Sequence, residues 1–131
     1  MTAQELSKLF YLKKEIALDR QRLLELEAKA LPGAQVMSGL PGSTNVSDRL
    51  GNLAAEIADL RLTIEQKFRR CVQEQQRLEQ YIADIDDSFI RLVFICRFAE
   101  GLSWQQVANK LGGHNTADGL RMISKRFLLK H

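Results

Sequence analysis

Cysteine, proline and long apolar runs are scarce in this chain, and each shortage excludes a class of protein. The only cysteines are Cys71 and Cys96. Neither has a second cysteine or a histidine at metal-ligand spacing, so both are expected to be buried free thiols rather than disulfide partners or zinc ligands. No apolar stretch approaches the roughly 20 residues that cross a bilayer, and the first residues carry no basic-then-apolar secretory pattern. No membrane partner is therefore expected, and the cytoplasm is the expected location. Both prolines, Pro32 and Pro41, fall in one segment, which leaves the rest of the chain free of the residue that most strongly breaks a helix. Catalytic constellations are missing too: no nucleophile beside a base, no paired acids and no metal cluster can be picked out, and the acids lie on helical faces as solvated charge. The chain is not expected to be an enzyme, and no cofactor or metal is expected.

What is present is the composition of a folded protein: 131 residues, 45% hydrophobic and 27% charged, enough for one ordinary domain or a small domain with an elongated appendage. The net charge of +3 hides an asymmetry. Residues 1–88 hold 12 Lys/Arg against 14 Asp/Glu, whereas residues 89–131 hold seven bases against Glu100 and Asp118 alone. A basic C-terminal third is suited to facing a polyanion, or to standing as a solvated basic face.

From about Thr2 to Ala30 there is no Gly or Pro, and Leu9, Ile16, Leu23 and Ala30 recur every seven residues with Leu12 and Leu26 between them, which predicts one helix; Asp19 interrupts its stripe. Residues 31–47, with Gly33, Gly39, Gly42 and Ser43 beside the prolines, are expected to form a long loop, and no glycine-rich phosphate-binding spacing occurs there. A second long helix should start near Ser47 or Asp48 and run to about Ile85. Its heptad stripe is Leu50, Ile57, Ile64, Cys71, Leu78 and Ile85, flanked early by Leu53 and Leu60 and spoiled later by Lys67 and Glu74. Folded back, the two helices make an antiparallel, coiled-coil-like hairpin over 1–85. Such a hairpin buries little, so Phe10, Tyr11, Leu24 and Phe68 beside the stripes are expected either to form a homodimer contact or to widen the intramolecular seam.

A three-helix domain is expected over 86–131. The capping side chains around Asp84–Ser88 open a helix that is apolar nearly all round from Phe89 to Phe98, which predicts burial against more than one neighbour, and Gly101 ends it. Ser103 and Gln106 have the spacing of a capping box, with Leu102 placed to staple onto Val107, so the next helix starts within three residues of the last and runs to Leu111 before Gly112-Gly113. A last helix, capped by Asn115 or Thr116 and running to about Leu128, puts Leu120, Ile123 and Phe127 inward. Trp104, at the first position of the supporting helix, is expected in the core or as a helix staple rather than as a base-stacking platform, and His114 in the turn, near phosphate.

Arg97-Phe98-Ala99-Glu100-Gly101-Leu102-Ser103-Trp104, followed by Val107-Ala108 and Leu111-Gly112, resembles region 4 of sigma-70-type factors over residues 89–130. Long helices and a Gly/Pro-rich loop ahead of such a module, with Gly-Gly-x-Asn-Thr-Ala-Asp before the final helix, are similar to small phage and prophage regulators of the ArpU type, which are implicated in late-gene transcription. The resemblance implies a helix-turn-helix whose last helix, about 116–128, enters the major groove of double-stranded DNA. The turn is two residues longer than in the commonest version, where the next buried aliphatic would fall at Asp118 rather than Leu120. On that reading Asn115, Thr116, Asp118, Arg121, Met122 and Lys125 are candidates for base contact, and Lys110, Arg126 and Lys130 for phosphate. The hairpin would then dimerise the regulator or dock it on RNA polymerase. Two alternatives stand beside it: an oligomeric DNA-packaging subunit of the small-terminase kind, and an interaction adaptor that binds no DNA.

Overall fold

The computed structural model of the chain describes residues 1–31 and 44–131, the side chains of 44–47 apart. Regular structure among these residues is all helical, as expected: α1 (Ala3–Lys29), α2 (Thr44–Ala83), α3 (Ser88–Phe94), α4 (Trp104–Leu111) and α5 (Ala117–Lys130), with a π-helical turn, Ile95–Ala99, continuing α3. None of the described helices is long and apolar enough to cross a membrane. Most of the expected 31–47 loop lies outside the described residues. Its last part is helical, because α2 begins at Thr44 rather than at Ser47 or Asp48; no Gly or Pro stands between Thr44 and Arg49 to stop the helix from extending backwards.

The described chain divides into two compact units, Lys14–Arg69 on the one hand and Met1–Lys13 with Arg70–His131 on the other, whereas the sequence pattern places a boundary after residue 85. In the first unit α1 packs on α2 through Ile16, Leu26 and Ile57, which are buried. Two residues that look like faults in the heptads turn out to meet: Lys67 Nζ lies 2.6 Å from Asp19 and 3.4 Å from Glu15. The hydrogen bond to Asp19 is the main reason the Lys67 ammonium is held above its ordinary pKa. Arg61 pairs with Glu27 at 2.8 Å. Rising numbers on α1 thus meet falling numbers on α2, which is the antiparallel order.

In the second unit the first turn of α1 is fastened by a reciprocal pair: the Thr2 amide donates to Glu5 at 2.9 Å and the Glu5 amide donates to the Thr2 hydroxyl at 3.2 Å. Leu6, Leu9 and Leu12 of α1 are buried, as are Cys71, Leu78 and Ile82 of α2 and Ile85 just beyond it. Asp87 caps α3, accepting from the amides of Phe89 and Ile90. Arg91 reaches back to the carbonyls of Ile85 and Asp86, which pins the link between α2 and α3. Phe94, 0% exposed, is the hub. Its ring stands 5.1 Å from Phe98, 5.4 Å from Phe127 and 6.5 Å from Tyr81, so one side chain ties α2, α3, the π-turn and α5 together.

The Phe89–Phe98 stretch packs against more than one neighbour, as expected, with Phe94 meeting both Tyr81 of α2 and Phe127 of α5, but it is not covered on every side. Ile90, Val93 and Phe94 face the core, but Phe89, Leu92 and Ile95 lie in solvent, Leu92 half exposed at 50%. Only from Cys96 onward is the far side covered, because α4 packs against the π-turn there. The Cys96 thiol is pushed above its ordinary pKa by burial first and by the Glu100 carboxylate second, and remains protonated at neutral pH. In the π-turn the Glu100 amide donates to Ile95 O at 2.8 Å, one residue further back than in an α-helix. Gly101 then takes φ +74°, where an added Cβ would also stand 3.3 Å from the Phe10 ring.

Candidate functional site

Five residues, 112–116, separate α4 from α5. The capping box at the start of α4 is complete, with the Ser103 amide donating to Gln106 Oε1 at 2.9 Å and the Gln106 amide donating to Ser103 Oγ at 3.2 Å. At the end of α4, Gly112 and Gly113 adopt φ +69° and +67°, a succession that side-chain-bearing residues rarely adopt. Asn115 then donates to Gly112 O at 2.9 Å across the turn, and the Thr116 hydroxyl caps α5 by accepting from the Gly119 amide at 3.0 Å. Asn115 and Thr116 therefore hold the turn in shape.

Val107 and Ala108 of α4 and Leu120 and Ser124 of α5 are buried, with Ile123 and Phe127 half-buried, so α4 lies against α5 along small and aliphatic side chains. At about 100° per residue this orientation of α5 gathers Asp118, Arg121, Met122 and Lys125 on its exposed side. The Arg121 side chain is 60% exposed and that of Asp118 92%, and their 3.7 Å approach is a loose one-turn pair. Lys125 has no acidic partner among the described residues. Arg126 and Lys130 lie on a neighbouring face, beside a cavity of about 530 Å³ that Tyr81 and Phe127 also line. Lys110 stands apart on α4, bonded to Glu100 at 2.7 Å, and that hydrogen bond holds its ammonium above the ordinary pKa.

Trp104 is half-buried, edge-on to Phe98 at 6.5 Å. The Arg97 guanidinium lies 4.8 Å over its ring and donates to Leu102 O at 2.9 Å. Helical spacing gives Arg97 no functional place, although it stands within the motif that carries the resemblance. Its nearness to Arg121 and Lys125 comes from folding, since all three line one cavity with Trp104. Among the described residues no group of His, Cys, Asp or Glu is placed to hold a metal ion.

Gly119 in the first turn of α5 has a measurable consequence. A Cβ built there would fall 2.9 Å from Thr116 Oγ1, the atom that caps the helix. Gly119→Ala gains about 1 kcal/mol of helix propensity but displaces a cap worth about as much. The substitution is expected to be nearly neutral in the wild-type chain and to stabilise by about 1 kcal/mol in a Thr116→Ala background. A double-mutant cycle in urea reads the difference; equal effects in both backgrounds would break the link between the two residues.

Comparison with protein-family models, with curated proteins and with solved structures gives no match to this chain.

Proposed function

We propose that the chain is a sequence-specific DNA-binding regulator of the phage type, with α4, the 112–116 turn and α5 as a helix-turn-helix. In this reading α4 braces α5 and α5 enters the major groove. The observation that carries the proposal is the exposed side of α5, where Arg121 and Lys125 stand one turn apart with side chains in solvent and the opposite side of the helix is packed. Two like charges at that spacing repel by roughly 0.2–0.5 kcal/mol in the free helix, a cost that a polyanion reverses. The sigma-70 region 4 resemblance of residues 89–130 points the same way, as does the excess of bases in the C-terminal third.

The candidates divide by role. Arg121, Met122, Lys125 and Asp118 are available to base edges, Asp118 as an acceptor from cytosine. Asn115 and Thr116 act through the turn that aims them. Arg126 and Lys130 can touch phosphates flanking the groove, while Lys110 must first leave Glu100. Dimerisation falls to the Lys14–Arg69 unit, where Leu24 is 66% and Phe68 50% exposed, with Leu18 and Leu62 exposed as well. The same surface could equally seat RNA polymerase.

Mobility shifts of a selected duplex across salt test the reading. With roughly two to four phosphates neutralised per protomer, log Kd is expected to rise with log salt at a slope of about 2 to 4 per protomer bound. A salt-independent affinity, or none, contradicts it. Solution mass adds the assembly: a dimer or monomer agrees with regulation, whereas a closed ring of many copies favours the packaging role.

A further inference from the structure

Within the Met1–Lys13 and Arg70–His131 unit, a cavity of about 440 Å³ opens between the start of α1 with the residue before it, the π-turn, the first residue of α4, and α5 from Arg121 onward. Its walls are of two kinds. Phe98, Trp104 and Leu128 give it an apolar body, and Arg97, Arg121 and Lys125 bring three positive charges with no acid among the lining residues. Arg97 spends one donor on Leu102 O and is otherwise held over Trp104, Lys125 has no acidic partner among the described residues, and Arg121 has only the loose contact to Asp118. The volume lies within the roughly 300–1,000 Å³ of small-ligand sites and is small for a docked helix. Apolar walls beneath unbalanced positive charge select a molecule with one anionic head and an apolar body.

We propose that this cavity binds a free amphipathic carboxylate, whose body packs on Phe98, Trp104 and Leu128 and whose head takes Arg121 and Lys125. Because those two side chains are the ones assigned above to DNA, ligand and DNA exclude each other, so the cavity is an effector site; this second half rests on the DNA-binding reading. The ligand leaves the fold intact and withdraws the cations from the groove.

Trp104 is the chain's single tryptophan, so its fluorescence reads occupancy of the cavity directly. The full chain is titrated with decanoate below its micelle concentration and with decanol as the uncharged control. Decanoate is expected to give a saturable change and to bind at least about tenfold more tightly than decanol, the charged hydrogen bonds making the difference. Lys125→Gln, at an exposed position, should weaken decanoate about tenfold and leave decanol unchanged. Ser7→Phe, which fills the cavity from the α1 wall, should remove both signals while far-ultraviolet circular dichroism stays native. No saturable change, equal affinity for decanoate and decanol, or an unaltered Lys125→Gln titration would overturn the site. Phosphatidylglycerol vesicles should give no signal, and a response like that of decanoate would replace the free acid by a lipid surface and overturn the proposal. Adding duplex separates the two halves. Decanoate that binds to a chain unable to bind DNA keeps the cavity and removes the DNA reading. Decanoate and DNA held together without mutual weakening overturn the competition and leave DNA binding standing.

Discussion

Phe94→Ala is expected to destabilise the chain by about 3–5 kcal/mol, the most damaging single substitution proposed for this fold. Phe94 is fully buried, and its ring is shared by Phe98 one turn on and by Tyr81 and Phe127, which belong to α2 and α5. Truncation removes the transfer free energy of the ring and leaves a void that three aromatic neighbours cannot all collapse into. Urea unfolding followed by circular dichroism reads the loss as a lower midpoint. Leu129→Ala is the control, since Leu129 is exposed at the end of α5 and its removal should change stability by no more than about 0.5 kcal/mol. A Phe94→Ala chain within about 1 kcal/mol of wild type would mean that the hub is not where the packing concentrates.

The second large effect separates function from folding. Arg121→Ala with Lys125→Ala is expected to weaken binding to a selected duplex by at least about thirtyfold, because each side chain that pairs with a base edge supplies about 1–3 kcal/mol. The same double variant should be as stable as wild type or slightly more so, because both side chains are exposed and their mutual repulsion disappears. Arg20→Ala with Arg22→Ala removes equal charge from exposed positions on α1 and should weaken DNA binding far less. If the two double variants lose affinity equally, α5 contributes only general charge and does not read bases.

Local signals in the sequence carry much of the fold. The Ser103–Gln106 capping box, the stop at Gly101 and the Gly112-Gly113 turn each depend on residues within a few positions of one another, so the bonds that form are those the residue types allow. The heptad stripes likewise mark the faces of α1 and α2 that are buried. Asp19 and Lys67 are legible only as interruptions, since their pairing needs the register between two helices, which no short-range pattern encodes. The π-turn has no short-range signature here. Without it, and without knowing that α4 arrives only at its level, the apolar run from Phe89 predicts more than one neighbour but not that Phe89, Leu92 and Ile95 stay exposed.

The candidate site is legible in its α5 portion and illegible elsewhere for the same reason. Helical spacing alone puts Asp118, Arg121, Met122 and Lys125 together once Leu120 and Phe127 define the inner side. The bond between Lys110 and Glu100 crosses the turn before α4, and the meeting of Ser7, Arg97 and Lys125 around one cavity joins three distant segments. No periodicity in a single chain encodes such meetings.

If α5 reads bases, the sequences that the chain selects must change when one of its exposed side chains is removed. The most direct measurement passes a random duplex pool over the wild-type chain and over Arg121→Ala, at one salt concentration, and sequences what each retains. A shared motif is expected for the wild type and, for Arg121→Ala, the same motif with preference lost at one or two adjacent positions. A wild-type pool with no motif, or an Arg121→Ala motif identical to the wild type's, would contradict it.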